Sequence, residues 1–169
     1  IPKDQRNGKC QITTSTSFFI PKPFTPFQWA RMYTNEEYIS RAAIVKHAFN
    51  EQLNRKSLKY HWHDAEVTVL EGVFARGDRK TSEVIKEAYH LGCLYDSWSD
   101  RFDNDKWMQA FENTGIDIAF YNLRERPLDE VFPWDFIDIG VTKEFLKQEW
   151  NHAMNAEVTP NCRMKCSGC

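Results

Sequence analysis

The sequence QITTSTSFF occupies residues 11–19 and begins the stretch that decides the fold. Its β-branched and aromatic residues alternate roughly with polar ones, and this pattern predicts a β-strand over Gln11–Phe19. The next segment, Ile20–Trp29, contains three prolines within six residues. Each proline removes a backbone donor and restricts the preceding residue to extended conformations, so we predict a stiff loop here.

A helix and a second strand follow this loop. Thr34 stands three residues before Glu37, a spacing typical of the capping box that begins a helix. Apolar residues then recur at helical spacing and predict a helix over Asn35–Arg55; they are Tyr38, Ala42, Val45, Phe49 and Leu53. Alternation in Leu58–Trp62 predicts a strand with one buried face. Together these elements predict a βαβ unit whose strands run parallel with a right-handed crossover.

Beyond residue 63 the pattern is helical. Apolar periodicity and capping residues predict further helices over Ala65–Ala75, Glu83–Leu91 (capped by Ser82), Asn104–Asn113 (following Asp103) and Lys143–Asn155 (capped by Thr142). The stretch Pro127–Gly140 is predicted to be a loop. We therefore expect an α/β chain that is predominantly helical.

The predicted sheet is incomplete. Two parallel strands leave most of their ladder groups unpaired and at least one face uncovered. Either the sheet pairs edge to edge with a second copy, or another part of the polypeptide supplies further strands. The chain begins with Ile1 rather than Met, which favours the second interpretation and predicts that an N-terminal part is missing.

The composition limits the classes of partner. The chain has 169 residues, of which 41% are hydrophobic, and this is enough apolar material for a core. Its 22 basic and 24 acidic residues give a net charge of −2, which offers no long-range attraction to nucleic acid or to an anionic membrane. No run approaches about eighteen consecutive apolar residues, and no apolar signal segment opens the chain. We expect a cytoplasmic protein with no membrane partner.

The cysteines are unevenly distributed. Cys10 and Cys93 stand alone, whereas Cys162, Cys166 and Cys169 lie within the last eight residues. In a chain that is not secreted, such crowding favours a metal over a disulfide. Three thiolates at this spacing can converge on one metal centre and leave its fourth position open. The alternative is a reduced, disordered tail.

The histidines His61 and His63 are a second candidate metal pair. Residues two apart on a strand point to the same face, and Asp64 or Glu66 would complete a site or orient an imidazole. The alternative is a polar strand face in which Asp64 caps the next helix. We favour this alternative.

Two segments offer candidate binding residues. Arg76 and Arg79 flank a glycine and are candidate ligands for a phosphate or carboxylate, although cations at a helix C-terminus commonly serve the helix dipole. Lys22, Thr25 and Gln28 lie on the proline-rich loop that leaves the C-terminal end of the first strand. Ligands bind at that edge in barrels and open α/β sheets, so these three residues are candidate cofactor- or substrate-binding residues. The alternative for the loop is a structural cover.

Several stretches, in order, resemble one protein family. They are FIPKPFTPFQW (19–29), HWHD (61–64), LEGVFARGDR (70–79), ERPLDE (125–130) and PWDFIDIGV (133–141). They resemble the C-terminal region of an uncharacterised family of radical S-adenosylmethionine (SAM) proteins, whose members carry a cobalamin-binding-like domain before the barrel. The residues around Cys162 and Cys166 also look like the C-terminal cysteine segment of that family.

The resemblance implies a fold and a set of cofactors. Residues 1–63 would be the terminal βαβ piece of a partial (β/α) barrel, 64–156 a helical C-terminal region and 157–169 a cysteine-containing tail. In the full-length protein, cysteines of the N-terminal part would hold a four-iron four-sulfur (4Fe-4S) cluster with SAM on its open iron, and cobalamin is a further candidate cofactor. Reductive cleavage of SAM would give a 5′-deoxyadenosyl radical that abstracts a substrate hydrogen.

No residue of this chain is assigned a catalytic role. The spacing of Cys162, Cys166 and Cys169 equals that of the radical SAM catalytic motif, but that motif lies early in the barrel and has an aromatic residue where this chain has Gly168. We expect the chain to be inactive without the N-terminal part, which is its predicted partner, and the tail to be a candidate for an auxiliary cluster or zinc. The alternative is a small zinc-binding module that interacts with protein or nucleic acid.

Overall fold

A computed structural model describes residues 2–5 and 10–166 of the chain. Within them the fold is mixed α/β and mostly helical, as predicted. The strands are β1 (Ile12–Thr16) and β2 (Leu58–Trp62), and short 3-10 helices span Lys3–Gln5, Pro26–Trp29 and Arg55–Ser57. The α-helices are α1 (Asn35–Asn50), α2 (Ala65–Arg76), α3 (Thr81–His90), α4 (Asn104–Thr114), α5 (Ile118–Asn122) and α6 (Lys143–Met154). No helix of this described part combines the length and the hydrophobicity needed to cross a membrane.

The two strands pair in parallel, as predicted. Ile12 lies opposite Leu58 and Thr16 opposite Trp62. Strand β1 is shorter than the predicted Gln11–Phe19, because β2 ends at Trp62 and offers its neighbour only five residues to pair with. Beyond β1 the chain is held by side-chain contacts instead: the ring of Phe18 stacks on Tyr38 with centroids 4.5 Å apart.

Helix α1 begins as predicted and ends early. The Thr34 hydroxyl accepts from the Glu37 N–H, and the Glu37 carboxylate accepts from the Thr34 N–H, which completes the capping box. The helix stops at Asn50 rather than Arg55. Leu53, the last apolar residue of the predicted stripe, is fully exposed, so no burial extends the helix through it.

The chain divides into two compact units. Unit 1 comprises Ile1–Phe19 and Tyr33–Leu70, and unit 2 comprises Ile20–Met32 and Glu71–Cys169. In unit 1, α1 packs on the sheet through Phe49, whose ring stacks on Tyr60 at 5.4 Å. The residues of β2 alternate between half-buried and exposed, which follows the predicted alternation.

The remaining helices follow the prediction, with two corrections. Helix α3 begins at Thr81, and Ser82 is not its cap, because the Ser82 hydroxyl donates to the Arg79 carbonyl instead. The short helix α5 was not predicted, since five residues are too few to show an apolar period. Asp103 and Thr142 cap α4 and α6 as the sequence indicates, each accepting from the backbone N–H three residues on.

The core of unit 2 is aromatic. Trp29 is fully buried and lies 5.9 Å from Phe132 and 6.5 Å from Trp150, measured between ring centroids. Phe132 in turn stacks on Trp134 at 4.8 Å. Residues 127–140 lack helix and strand, as predicted, yet they place two aromatic rings in this core.

A close approach of backbone and side chain requires a glycine in α2. A Cβ atom at Gly72 would lie 2.2 Å from the sulfur of Met32 and 2.9 Å from the side-chain oxygen of Asn122. Met32 is fully buried, and its N–H donates to the Asn122 carbonyl at 2.7 Å. A glycine inside a helix lowers helix stability by roughly 1 kcal/mol relative to alanine. At this position the glycine allows Met32 to pack directly against the helix backbone.

Candidate functional site

The proline-rich loop forms one wall of a small cavity in unit 2. The cavity has a volume of about 130 Å³, which is room for about four water molecules at roughly 30 Å³ each. Its lining consists of apolar and charged or polar side chains from the loop, from residues 135–141 and from α6: Phe24, Gln28, Asp135, Ile137, Val141, Lys143 and Leu146. Pockets for whole ligands are usually about 300–1,000 Å³, so a cavity of this size has room for one group of a ligand and not for a whole one.

Gln28 is the buried polar residue of this cavity. Its side-chain oxygen accepts hydrogen bonds from the Trp134 indole N–H at 2.9 Å and from the Phe24 N–H at 3.2 Å. These two bonds fix the side chain. Only 2% of Gln28 is exposed, and its amide nitrogen donates to no residue that the structure describes. Because the oxygen is fixed by two donors, the amide N–H groups are the donors that Gln28 offers to the cavity.

Phe24 has an unusual backbone conformation. Its φ is +59°, in the left-handed region, where a side chain costs roughly 1–2 kcal/mol. Pro23 precedes it and Pro26 begins the short 3-10 helix that carries Gln28, so the loop is rigid on both sides. Strained residues of this kind are concentrated at binding sites, where the surrounding structure holds them in place.

A charged pair lies on the other side of the cavity. The Lys143 ammonium donates to Asp135 and to the Glu130 carbonyl, the latter at 2.6 Å, and the Asp135 carboxylate also accepts from the Phe132 N–H at 2.8 Å. An ammonium has three donors, of which these bonds use two, and the same ammonium lies 4.6 Å from the centroid of the Phe132 ring. The cavity therefore offers donors from Gln28 and Lys143 beside apolar walls, which suits a ligand group that accepts hydrogen bonds.

The other two predicted loop residues do not line this cavity. Lys22 pairs with Glu71 at 2.5 Å, and both side chains are about half exposed. The Thr25 hydroxyl donates to the Lys22 carbonyl at 2.8 Å and so supports the turn of the loop. Of the three candidates, only Gln28 lines the cavity. Lys143 and Asp135 also line it, and the sequence did not predict either of them as a site residue.

The arginines of the predicted anion site differ in environment. Arg76 is buried as the last residue of α2, whereas Arg79 is exposed in the following turn. A second buried arginine lies nearby, since the Arg126 guanidinium donates to the Arg76 carbonyl at 3.1 Å. Burial lowers the pKa of Arg126, and the nearby Glu130 carboxylate opposes that shift.

Glu130 is the anion of this buried cluster. Arg124 donates to both of its oxygens at 2.6 Å, and Arg126 lies 3.8 Å away. These hydrogen bonds and charges hold the pKa of Glu130 below its usual range. Close by, burial and then a hydrogen bond to Asp78 raise the pKa of Tyr121 to about 12. Glu130 is thus paired with Arg124 and lies beside the buried Arg126.

The tail residues lie in part outside the described chain. Cys162 and Cys166 are exposed free thiols, and Cys169 lies outside the described residues. Cys166 lines a groove of about 250 Å³ together with His152 and Glu157. No group of three or more histidine, cysteine or acidic side chains is close enough to hold a metal ion within residues 2–5 and 10–166. His152, in the last turn of α6, carried no sequence signal for a site.

Asp64 caps a helix, as in the alternative that we favoured for the segment around His61 and His63. His61 and His63 are exposed, and the Asp64 carboxylate accepts from the N–H groups of Glu66 at 2.8 Å and Val67 at 3.2 Å. Asp64 therefore caps α2. Comparison of the chain with family models, with curated proteins and with solved structures finds no match.

Proposed function

We propose that this chain is the C-terminal portion of a radical SAM enzyme, in which it closes a partial (β/α) barrel and presents a loop to SAM or to the substrate. The observation that carries the proposal is Gln28. It lies on one of the stretches that resemble that family, is 2% exposed, has its side-chain oxygen held by two donors, and lines the cavity with its amide. A buried donor that is held in place but left for a ligand is typical of a binding residue.

The topology of unit 1 supports the proposal. Strands β1 and β2 run parallel and are joined through α1, which is the repeating unit of a (β/α) barrel. Parallel sheets are normally covered on both faces and contain more than two strands. Ile12 on β1 and Ile39 on α1 are about half exposed, as expected of surfaces that further barrel elements would cover.

Each part of the site would have a separate task. When bound, the 4Fe-4S cluster and SAM would supply the one-electron chemistry, and the chain described here would supply none of it. Gln28 would donate to an acceptor atom of SAM or substrate, and Lys143 would add a second donor. Phe24, Val141 and Leu146 would keep water from one side of that contact.

SAM binding tests the role of the loop. We expect saturable binding of SAM to the chain by calorimetry, and about tenfold weaker binding for Gln28→Leu, since one hydrogen bond to a ligand contributes about 1.4 kcal/mol. Thr25→Val is the matched control, because Thr25 is on the same loop and outside the cavity; its affinity should be unchanged. Circular dichroism checks that each variant is folded. No SAM binding by the wild-type chain would contradict a SAM-facing role for the loop.

Cleavage of SAM tests the assignment of the catalytic cluster to another part of the polypeptide. After anaerobic treatment with iron, sulfide and a strong reductant, the chain should form no 5′-deoxyadenosine. Formation of that product would mean that the tail cysteines hold a catalytic cluster, and our assignment of catalysis elsewhere would be wrong.

Metal analysis tests the tail. We propose that Cys162, Cys166 and Cys169 bind a metal centre, so Cys166→Ser should lower the metal content while the helical circular dichroism stays unchanged. Cys10→Ser is the matched control, because Cys10 is also an exposed thiol. Iron with acid-labile sulfide would identify an auxiliary cluster and zinc a structural site. An unchanged stoichiometry in Cys166→Ser would remove the tail from the proposal.

A further inference from the structure

The two faces of the parallel sheet in unit 1 differ in character. Helix α1 packs on one face, where the Phe49 ring stacks on Tyr60. Successive side chains of a strand point to opposite faces, so Lys59 and His61 lie on the face away from α1. Both are exposed, whereas Tyr60 is half-buried. The face of β2 that α1 leaves uncovered is therefore polar.

Strand β1 adds two hydroxyl groups to the same face. In the parallel register Thr13 lies opposite Lys59 and Ser15 opposite His61, and both hydroxyl residues are exposed. Neighbouring strands are about 4.8 Å apart, and residues two apart on one strand are about 6.6 Å apart. The four side chains therefore start from the corners of a rectangle of about that size.

A polar face is unusual on a parallel sheet. Parallel strands are normally buried on both faces and consist largely of apolar residues. In a (β/α) barrel the helices lie outside, and bulky branched side chains fill the interior. The face away from α1 would be the interior of the proposed barrel, and it carries hydroxyl, ammonium and imidazole groups in place of such side chains. Such a face suits a space for a polar ligand and not a packed core.

The ends of the strands agree with a ligand on this face. Ser15 and His61 are each the last but one residue of their strand, at the C-terminal end where barrel enzymes bind their ligands. Thr13 and Lys59 lie two residues earlier, so a ligand that enters from this end would reach all four side chains.

The charge of the face is positive. Neither strand contains an acidic residue. Lys59 forms no ion pair with any residue that the structure describes. Asp64, the first acidic residue after β2, uses its carboxylate to cap α2. The two strands thus provide a cation without a counterion, and an anion would complement it.

We propose that the face formed by Thr13, Ser15, Lys59 and His61 binds a phosphate group of the substrate. A phosphate group presents several acceptor oxygens around one centre, which suits donors that surround it, whereas a carboxylate presents only two oxygens in one plane. Lysine commonly binds phosphate as a point charge. The inference names a substrate class for the proposed enzyme, and it rests on that proposed function for the position of this face inside a barrel.

Titration of the full chain with inorganic phosphate at constant ionic strength tests the site. We expect saturable shifts of the backbone amide NMR signals of residues 12–16 and 58–62. Lys59→Gln should weaken phosphate binding roughly tenfold, because a hydrogen bond between charged groups is stronger than a neutral one. Lys59→Arg keeps the charge and should retain most of the affinity.

A matched variant and a second anion give the test its controls. Lys56→Gln removes an exposed lysine just before β2 and should bind phosphate as the wild type does. Acetate, which carries a carboxylate, should bind more weakly than phosphate. No saturable phosphate binding, equal affinity for acetate, or unchanged affinity in Lys59→Gln would overturn the inference.

The inference and the proposed function fail separately. Phosphate binding is read from the signals of the two strands in unit 1 and from its dependence on Lys59. SAM binding is read from its dependence on Gln28, which belongs to unit 2. SAM binding without phosphate binding would overturn the inference alone, and phosphate binding without SAM binding would contradict the SAM-facing role of the loop alone.

Discussion

The two units differ in the size of their cores. Unit 2 buries Trp29, Phe132, Trp134 and Trp150, whereas the largest buried apolar residues described in unit 1 are Tyr38 and Leu70, alongside two alanines. Both units leave large apolar side chains exposed, among them Ile12, Ile39, Ile44 and Leu53 in unit 1 and Trp98, Val131 and Phe136 in unit 2. At about 25 cal/mol per Å² of buried apolar surface, the aromatic core is the larger source of stability. The cavity thus belongs to the unit with the larger core. Unit 1 has the smaller core and exposed apolar side chains that a partner would cover.

The largest effect is expected in the aromatic core. Trp29→Ala removes a fully buried ring that contacts Phe132 and Trp150, and it should cost about 3–5 kcal/mol in the free energy of unfolding. Trp98→Ala is the matched control, because Trp98 is 67% exposed and its loss should change stability by less than about 0.5 kcal/mol. Urea unfolding followed by circular dichroism measures both. Equal losses of stability in the two variants would contradict the placement of Trp29 in the core and of Trp98 on the surface of unit 2.

The charged cluster of unit 2 should give the next largest effect. Glu130→Gln leaves Arg124 and the buried Arg126 without their carboxylate and should cost about 2–3 kcal/mol near neutral pH. Because the folded pKa of Glu130 is lowered, its contribution is present above the unfolded value of about 4.3 and is lost as the pH falls through the folded pKa. The variant should therefore lose less stability on acidification than the wild type. Glu125→Gln, at an exposed position, is the control; a similar acid dependence in Glu130→Gln and wild type would contradict the expectation.

A smaller gain is expected at the turn after α6. Ala156 has a positive φ, which glycine adopts without a Cβ clash, so Ala156→Gly should raise the free energy of unfolding by about 0.5–1 kcal/mol. Thermal unfolding measures the gain. Ala153→Gly, inside α6, is the opposite control and should destabilise by roughly 1 kcal/mol. A loss of stability in Ala156→Gly would mean that this turn is not populated in solution.

The exposed surface of unit 1 should give the smallest change in stability. Ile44 is 69% exposed on α1, so Ile44→Lys should change the free energy of unfolding by less than about 0.5 kcal/mol. We expect the wild-type chain to self-associate through the apolar surface and open sheet edge of unit 1, and the variant to do so less. Sedimentation velocity measures the oligomeric state. A wild-type chain that stays monomeric at high concentration would contradict the idea that unit 1 needs a further cover.

The sequence predicted the elements with strong local signals. The capping box at Thr34 and the caps Asp103 and Thr142 follow from short-range chemistry, and the structure has them. The parallel pairing of β1 with β2 follows from the helix that connects the two strands, and the structure has it as well. The ends of helices and strands were less predictable. Helix α1 ends at Asn50, although apolar residues at helical spacing continue to Leu53, because Leu53 is not buried. The five-residue helix α5 had no periodic signal at all.

The candidate site was only partly predictable. The proline-rich loop and Gln28 could be identified, since prolines and a polar residue beside aromatic ones are visible in sequence. Asp135 could not, because it lies in the non-periodic segment 127–140, whose path depends on Phe132 and Trp134 entering the core. Lys143 could not, because which residue of α6 lines the cavity depends on how that helix packs on the same core. His152 lacked a signal for the same reason, since its partner Thr159 returns through a turn that uses alanine where glycine is usual.

The packing of Gly72 against Met32 has a consequence for how related sequences vary. Any side chain at position 72 would collide with the methionine sulfur, which stands 2.2 Å from where a Cβ would be. That sulfur belongs to a flexible side chain, so a shorter residue at position 32, together with a small shift of the Asn122 side-chain oxygen at 2.9 Å, would make room for alanine at position 72. Positions 32 and 72 are therefore expected to covary among homologues, with a large residue at one position accompanied by a small residue at the other. Gly72→Ala alone should lose stability, and a second substitution that shortens residue 32 should recover part of it.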